Sequence, residues 1–394
     1  MRSFTVLASL AVLAGLVTPA RARAQCVPAC FPDLAGEWQQ KLQTGAVAEY
    51  RLPAAEAARF TRRLEALAGV IHAAPVLQPP RGIQPRLRAY VSYRQEGDSG
   101  RASRQPVQGR ETVELYFYFA DRNGKPFWGG ENLTVADFWV NDPLMTLGAE
   151  HDLRYEGLPL PDGRRIRYMP VRTGELGGFP VYDEKRVIVS RSTRPLWVPV
   201  TREQYLSALV RAREQDLAGA ESGFARDPYT LWLSERGKRE RTRDEIYKAV
   251  KARSAQEAEQ FLRTAADMET RTEAALKATP REEPASLRTL RNGVAGLRSE
   301  LAAMAPAERN SQAWIARLGD VTSGLLPAGT SGARALVAVN WDFLDRSRPR
   351  ADWQLVTAVF EPGVLRNNPG HVGSIRLKQL RESTDWRKVA TLLD

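Results

Sequence analysis

Cysteine and histidine are scarce: the chain of 394 residues holds two of the first and three of the second. A disulfide-stapled scaffold needs more cysteine pairs than this. A structural zinc site takes about four ligands, and two thiolates do not complete one. A histidine-rich metal or relay site would need His72, His151 and His371 to converge from distant parts of the chain. Long apolar runs are missing too. The longest, Phe4 to Val17, falls short of the roughly 20 residues that a membrane-spanning helix requires. There is no H-E-x-x-H, G-x-S-x-G or S-x-x-K pattern, no P-loop and no dinucleotide fingerprint. Those gaps leave no residue set for a metalloprotease, a serine hydrolase of those types or a nucleotide enzyme. No metal and no cofactor is expected.

What is present at the N-terminus has the three parts of a secretory leader. Arg2 supplies a positive start, Phe4–Val17 an apolar run, and Ala22-Arg23-Ala24 small residues at −3 and −1 of a cut before Gln25. Residues 1–24 are therefore read as a signal peptide, and the rest as exported to a periplasm or beyond. A lipid anchor on Cys26 is disfavoured because Gln25 precedes it. The leader style and the excess of arginine over lysine suggest a GC-rich bacterium. In an oxidising compartment Cys26 and Cys30 are expected to pair locally, with free or intermolecular thiols as the alternative. A loop that short adds little stability.

The formal charge is +11, and the three arginines of the leader account for part of it. Export argues against nucleic acid as the partner. The remaining basic excess suits an anionic envelope component, a glycan or an envelope protein, or else a solvated arginine-rich surface.

Periodicity assigns an α+β fold with an antiparallel β-rich body and a helical block. Residues 53–74 read as a helix, with Ala57, Phe60, Leu64, Leu67 and Ile71 on one face. Alternation marks strands at 87–93 and 111–120, where Val113, Leu115, Phe117 and Phe119 face one way. Thr112, Glu114, Tyr116 and Tyr118 face the other. Asn123-Gly124 predicts a tight hairpin. Shorter strands are expected at 164–171 and 186–191, with a turn at Gly177-Gly178. After Pro199, Thr201 and Gln204 form a capping-box pattern ahead of a helix. Residues 244–278 read as one long charged helix. Leu287, Leu290, Val294, Leu297, Leu301 and Met304 form a heptad seam on the next. A Pro-bounded link between these two implies an antiparallel coiled-coil-like hairpin, with Gly293 and Gly296 as points of close approach. A short helix near 314–318, strands at 335–339 and 354–360 and a terminal helix from Trp386 complete the chain. The expected organisation is 25–199 β-rich, 200–320 helical, and 321–394 a tail packing back on the β-rich domain.

Chemistry-bearing patterns are few. Gly97-Asp98-Ser99-Gly100 resembles the nucleophile segment of chymotrypsin-like serine proteases, but Arg101 stands where a glycine is expected. His72, the one histidine ahead of it, sits on a predicted helix. Glu111, Glu114, Glu131, Asp137 and Asp142 crowd one region, and a glycosidase-like hydrolase needs two such acids facing one cleft. Eight of the 32 aromatics lie between Tyr116 and Trp139. A sheet core absorbs most of them, while Tyr116, Tyr118 and Trp128 are the candidates for a ligand platform. Arg236–Arg243 is the densest basic run. No catalytic residue is assigned. The reading is an exported, non-catalytic binding or interaction protein, with a carboxylate hydrolase as the alternative.

Overall fold

The computed structural model describes residues 31–92, 105–129, 133–147, 158–225, 228–278, 283–316, 324–362 and 368–394. The leader, Cys26, Cys30, the Gly97–Gly100 string, Glu131 and His151 lie outside the described residues. The fold is mixed α+β, in two compact units. The first comprises Met1–Arg154, Pro170–Leu196 and Asn340–Asp394, the second Tyr155–Met169 and Trp197–Val339.

The first unit is built on an eight-stranded sheet. Its strands are β1 (Gln39–Gln43), β2 (Ile83–Ser92), β3 (Gln108–Phe117), β6 (Leu133–Val140), β8 (Arg172–Leu176), β9 (Phe179–Tyr182), β10 (Arg186–Ser190) and β14 (Leu355–Glu361), in the order β1-β2-β3-β6-β14-β10-β9-β8. The β1–β2 pair is parallel and the other pairings are antiparallel. Period-two alternation sends Leu87, Ala89, Val113, Leu115, Phe117, Ala136 and Phe138 into one core. Helices α1 (Ala54–His72), α8 (Val372–Ser383) and α9 (Trp386–Thr391) cover that face, α1 burying Phe60, Leu64, Leu67, Ala68 and Ile71. The strand read over 111–120 stops at Phe117. Phe119 belongs to a separate hairpin of β4 (Phe119–Ala120) and β5 (Pro126–Phe127), where its ring meets Phe127 at 5.0 Å. The turn is set by Asp121, whose Oδ1 accepts the N–H groups of Asn123 and Lys125, each at 2.8 Å, and by Gly124 at φ +74°.

Asn141, fully buried, ends β6 in the left-handed region at φ +53°. Its Nδ2 donates to the carbonyls of Val107 (3.0 Å) and Asp352 (2.8 Å). Its Oδ1 accepts from the N–H of Gln354 (2.8 Å) and of Leu355 (3.3 Å). One amide thus ties the ends of β3, β6 and β14.

In the second unit β7 (Arg167–Tyr168), β11 (Trp197–Pro199) and β12 (Trp314–Ile315) all pair with β13 (Arg334–Val339). This partition differs from 25–199, 200–320 and 321–394: main-chain pairing holds β7 and β13 together with the helices. Trp314–Ile315 is strand, where a short helix was expected, because it pairs with Arg334 and Ala335. The capping box forms reciprocally. Thr201 N–H donates to Gln204 Oε1 at 3.0 Å and Gln204 N–H to Thr201 Oγ1 at 3.2 Å, starting α2 (Arg202–Ala225).

The helical pairing corrects the sequence reading. Residues 236–278 form two helices, α4 (Arg236–Lys251) and α5 (Ala255–Ala278), because Ser254 accepts the Glu257 N–H and restarts the helix. The seam helix α6 (Ala285–Ala303) packs on α2, and α5 packs on α4. Arg298 pairs with Glu214 and Arg291 with Glu221, so α2 and α6 run antiparallel. Arg243–Glu269 and Tyr247–Glu259 show the same for α4 and α5. Leu297 and Met304 join Tyr205, Leu206, Leu209 and Val210 in this unit's core. The remaining helices are α3 (Pro228–Ser234) and α7 (Pro306–Arg309). Gly293 and Gly296 are not close-approach points, since a Cβ on either meets nothing within 4 Å.

Two predictions follow from this packing. Gly296→Ala should stabilise by about 0.5–1 kcal/mol, through helix propensity alone; a fall in melting temperature would show a hidden contact. Asn141→Ala should cost at least about 3 kcal/mol, since four buried backbone groups lose their partners. Asn141→Gly, which tolerates the positive φ, should recover little of that in denaturant unfolding. Full recovery would assign the cost to backbone strain instead.

Candidate functional site

The face of the first sheet opposite α1, α8 and α9 gathers the chemistry-bearing residues, and at one end of it Trp139 packs on Met145 of the short 3-10 helix Pro143–Thr146. Arg86, Arg88 and Tyr90 of β2 alternate with core residues and so share this face. Register sets them opposite Glu114, Thr112 and Arg110 of β3, and Arg110 and Thr112 opposite Trp139 and Asp137 of β6. Arg110 grips Asp137 through both carboxylate oxygens, Nε to Oδ1 at 2.9 Å and Nη2 to Oδ2 at 3.0 Å. Thr112 Oγ1 donates to the same Oδ1 at 2.6 Å and meets Tyr90 Oη at 2.9 Å. The Arg110 guanidinium also lies 4.2 Å from the Trp139 ring centre.

Beside this closed cluster is a more open one. Tyr116 and Trp128 rings pack at 5.3 Å, and the Arg86 guanidinium lies 5.3 Å from the first and 5.7 Å from the second. Arg86 Nε donates to Gln39 Oε1 at 3.3 Å, and among the described residues the guanidinium has no carboxylate partner. Tyr116 donates to Glu114 Oε2 at 3.1 Å, which Arg88 also reaches at 3.1 Å. Burial, reinforced by the Glu114 charge and hydrogen bond, raises the Tyr116 pKa. Trp128 and Arg86 are half-buried and Arg88 is partly open to solvent.

Of the three platform candidates, the structure therefore brings Tyr116 and Trp128 together. Tyr116 is buried at 8% exposure. Tyr118, at 7%, is buried too; it lies apart from the pair and donates to Gln84 Oε1 at 3.0 Å. Burial, and secondarily the charge of Glu37, raises its pKa. Sequence reasoning missed Arg86; its position in the alternation of β2 was the available signal.

The acids of this region have separate fates. Asp137 and Glu114 are engaged by arginines and hydroxyls, and Asp142 Oδ1 accepts the Leu144 N–H at 3.1 Å. Glu111 turns to the other face, between Gly109 and Val113, opposite Ala89 and Phe138. It is 0% exposed, and among the described residues neither carboxyl oxygen has a hydrogen-bond partner. Burial alone pushes its pKa well above its ordinary 4.5. His371, also buried, caps α8 with Nδ1 accepting the Gly373 N–H at 3.0 Å, its ring edge-on to Phe117 at 4.3 Å. Burial lowers its pKa. His72 stacks on Trp38 at 4.5 Å. Among the described residues no group of three metal-binding side chains converges, and no helix is long and apolar enough to cross a membrane.

A separate cleft of about 710 Å³ lies between the β8–β9 hairpin and α8, floored by Leu176, Val181, Phe360 and Leu377, with Lys185 and Glu361 paired at 2.8 Å on its wall. Neither Tyr118 nor Trp128 lines it. Comparison of the chain with protein-family models, with curated proteins and with solved structures returned no match.

The Glu111 environment carries a pH dependence. A folded-state pKa raised above the unfolded one means that the associated stability is full below the unfolded value. It is lost as pH rises toward the folded value. The burial of Glu111 therefore costs the fold more as the pH rises. Glu111→Met should thus stabilise at pH 7 by about 1–3 kcal/mol, with a smaller gain at pH 4. Equal gains in melting experiments at the two pH values would show that protonation is not involved.

Proposed function

We propose that this protein is an exported, non-catalytic binding protein of the bacterial envelope or exterior, and that its ligand is an anionic glycan. The carrying observation is Arg86, a guanidinium held against Tyr116 and Trp128 with no carboxylate of its own among the described residues. A partly open ring such as Trp128, backed by the buried Tyr116, can stack on the apolar face of a sugar, and an adjacent guanidinium is suited to a carboxylate or phosphate. Arg88 holds Glu114 at 3.1 Å on the same sheet face and so offsets its charge beside Arg86. The leader at residues 1–24 supports a setting where such glycans occur. The engagement of Asp137 and Glu114 by arginines favours binding over hydrolysis, because acid–base work needs a carboxylate pair free to face a substrate.

The test uses polygalacturonate as the acidic probe and dextran as its neutral counterpart. Binding to the acidic polymer, weakening as salt rises, should fall about tenfold or more in Arg86→Ala and in Trp128→Ala. Arg86→Lys should restore only part, since an ammonium keeps the charge but not the planar stack. Unaltered affinity in Arg86→Ala, or equal binding to dextran, defeats the assignment.

A further inference from the structure

The eight-stranded sheet ends in two edge strands, β1 and β8. An edge strand presents unpaired main-chain N–H and C=O groups, which monomeric proteins guard with lysine, proline or a covering element. β1 carries the exposed Lys41 at its centre, so pairing with its own copy about that residue would set lysine on lysine. β8 has neither lysine nor proline within Arg172–Leu176, and four of its five residues are exposed. Among the described residues no strand pairs with its outer side.

The side chains of β8 are balanced about its midpoint. The register on β9 shifts between Arg172 and Gly174, which makes Thr173 the extra residue of a bulge. Residues three apart in a regular strand point to opposite faces. The bulge brings Arg172 and Glu175 to one face instead, where they pair at 3.0 Å. Their side chains stay 59% and 54% exposed, and so open a pair holds little energy. Just ahead of the strand, Val171 is 56% exposed. At its far end, Leu176 lines the cleft of about 710 Å³.

We propose that this edge is a homodimer interface, in which β8 pairs antiparallel with β8 of a second copy about the Thr173–Gly174 peptide. That register sets Arg172 opposite the partner's Glu175 and Val171 opposite the partner's Leu176. The two-fold axis stands perpendicular to the sheet, so each contact occurs twice and directly opposed residues share a face. Charge complementarity selects the occupant. Read backward, β8 supplies the acid for its own base and the apolar residue for its own apolar residue, which an unrelated strand would match only by chance. The weak pair held within one chain becomes two pairs across the interface, and the exposed Val171 gains an apolar neighbour at the mouth of the partner's cleft. Arg86 lies on β2, at the other end of the strand order, so the inference stands without the glycan reading.

Sedimentation equilibrium tests this over a concentration series reaching about 100 μM, above the micromolar Kd expected of a small interface. Reductant is present so that Cys26 and Cys30 form no cross-link. The parent chain should dimerise. Arg172→Glu sets glutamate on glutamate at both contacts and should raise the dimer Kd by about tenfold or more; Glu175→Arg should do the same with arginines. An equimolar mixture of these two variants should form a heterodimer with a Kd within about threefold of the parent's, because every charge again meets its opposite. Both positions are solvent-exposed, so each variant should melt like the parent. A monomeric parent overturns the proposal. So does a single reversal that dimerises like the parent, or a mixture no more associated than its components.

Discussion

The first unit depends on one buried amide. Its sheet places β14 between β6 and β10, so strands separated by more than two hundred residues must find each other. A ladder alone does not fix which end of β14 starts beside β6. Asn141 does, because its single carboxamide satisfies two carbonyls and two N–H groups drawn from the Val107 and Asp352–Leu355 segments. Only asparagine combines four short-range hydrogen bonds with tolerance of a left-handed backbone. The second unit can therefore be inserted in the chain without loosening the sheet, since register is restored at the re-entry point itself.

Given that register, two faces of opposite character follow. One parity of every central strand is apolar and lies under α1, α8 and α9; the other carries Arg86, Arg88, Arg110, Thr112, Glu114 and Asp137. Glu111 is the exception, a carboxyl on the apolar parity. Burial there favours its neutral form, because an unpaired charge costs more to desolvate than a neutral carboxyl.

What was legible in the sequence is what depends on short range. The span of α1, the alternation of β3 and the capping box at Thr201 are set within a few residues, and each was readable. Pairing was not. The heptad seam of α6 stated that a partner helix exists, but nothing in its spacing distinguishes α2 from α5; the choice is made by the apolar face of α2, where Tyr205, Leu206, Leu209 and Val210 meet Leu297 and Met304. The break at Ser254 was hidden because alanine-rich, charged flanks keep the helical pattern going across it. At the candidate site, Tyr116 and Trp128 stood out by composition. Arg86 did not, because the register of β2 on β3 that lays it over both rings is a tertiary pairing with no local sequence signal.

The arginines of the sheet face explain each other. Arg110 and Arg86 sit on neighbouring strands, and each guanidinium lies near two aromatic rings: Tyr90 and Trp139 for the first, Tyr116 and Trp128 for the second. Arg110 completes its fork on Asp137. The corresponding position beside Arg86 is filled, among the described residues, by the neutral Gln39 amide. Lysine could not replace either, because an ammonium has no planar face to lie against a ring while two edges bind an anion. The first arginine is therefore a closed version of the second. What separates the two is the group at the guanidinium edge: the Asp137 carboxylate takes two bonds from Arg110, whereas the Gln39 oxygen takes one from Arg86.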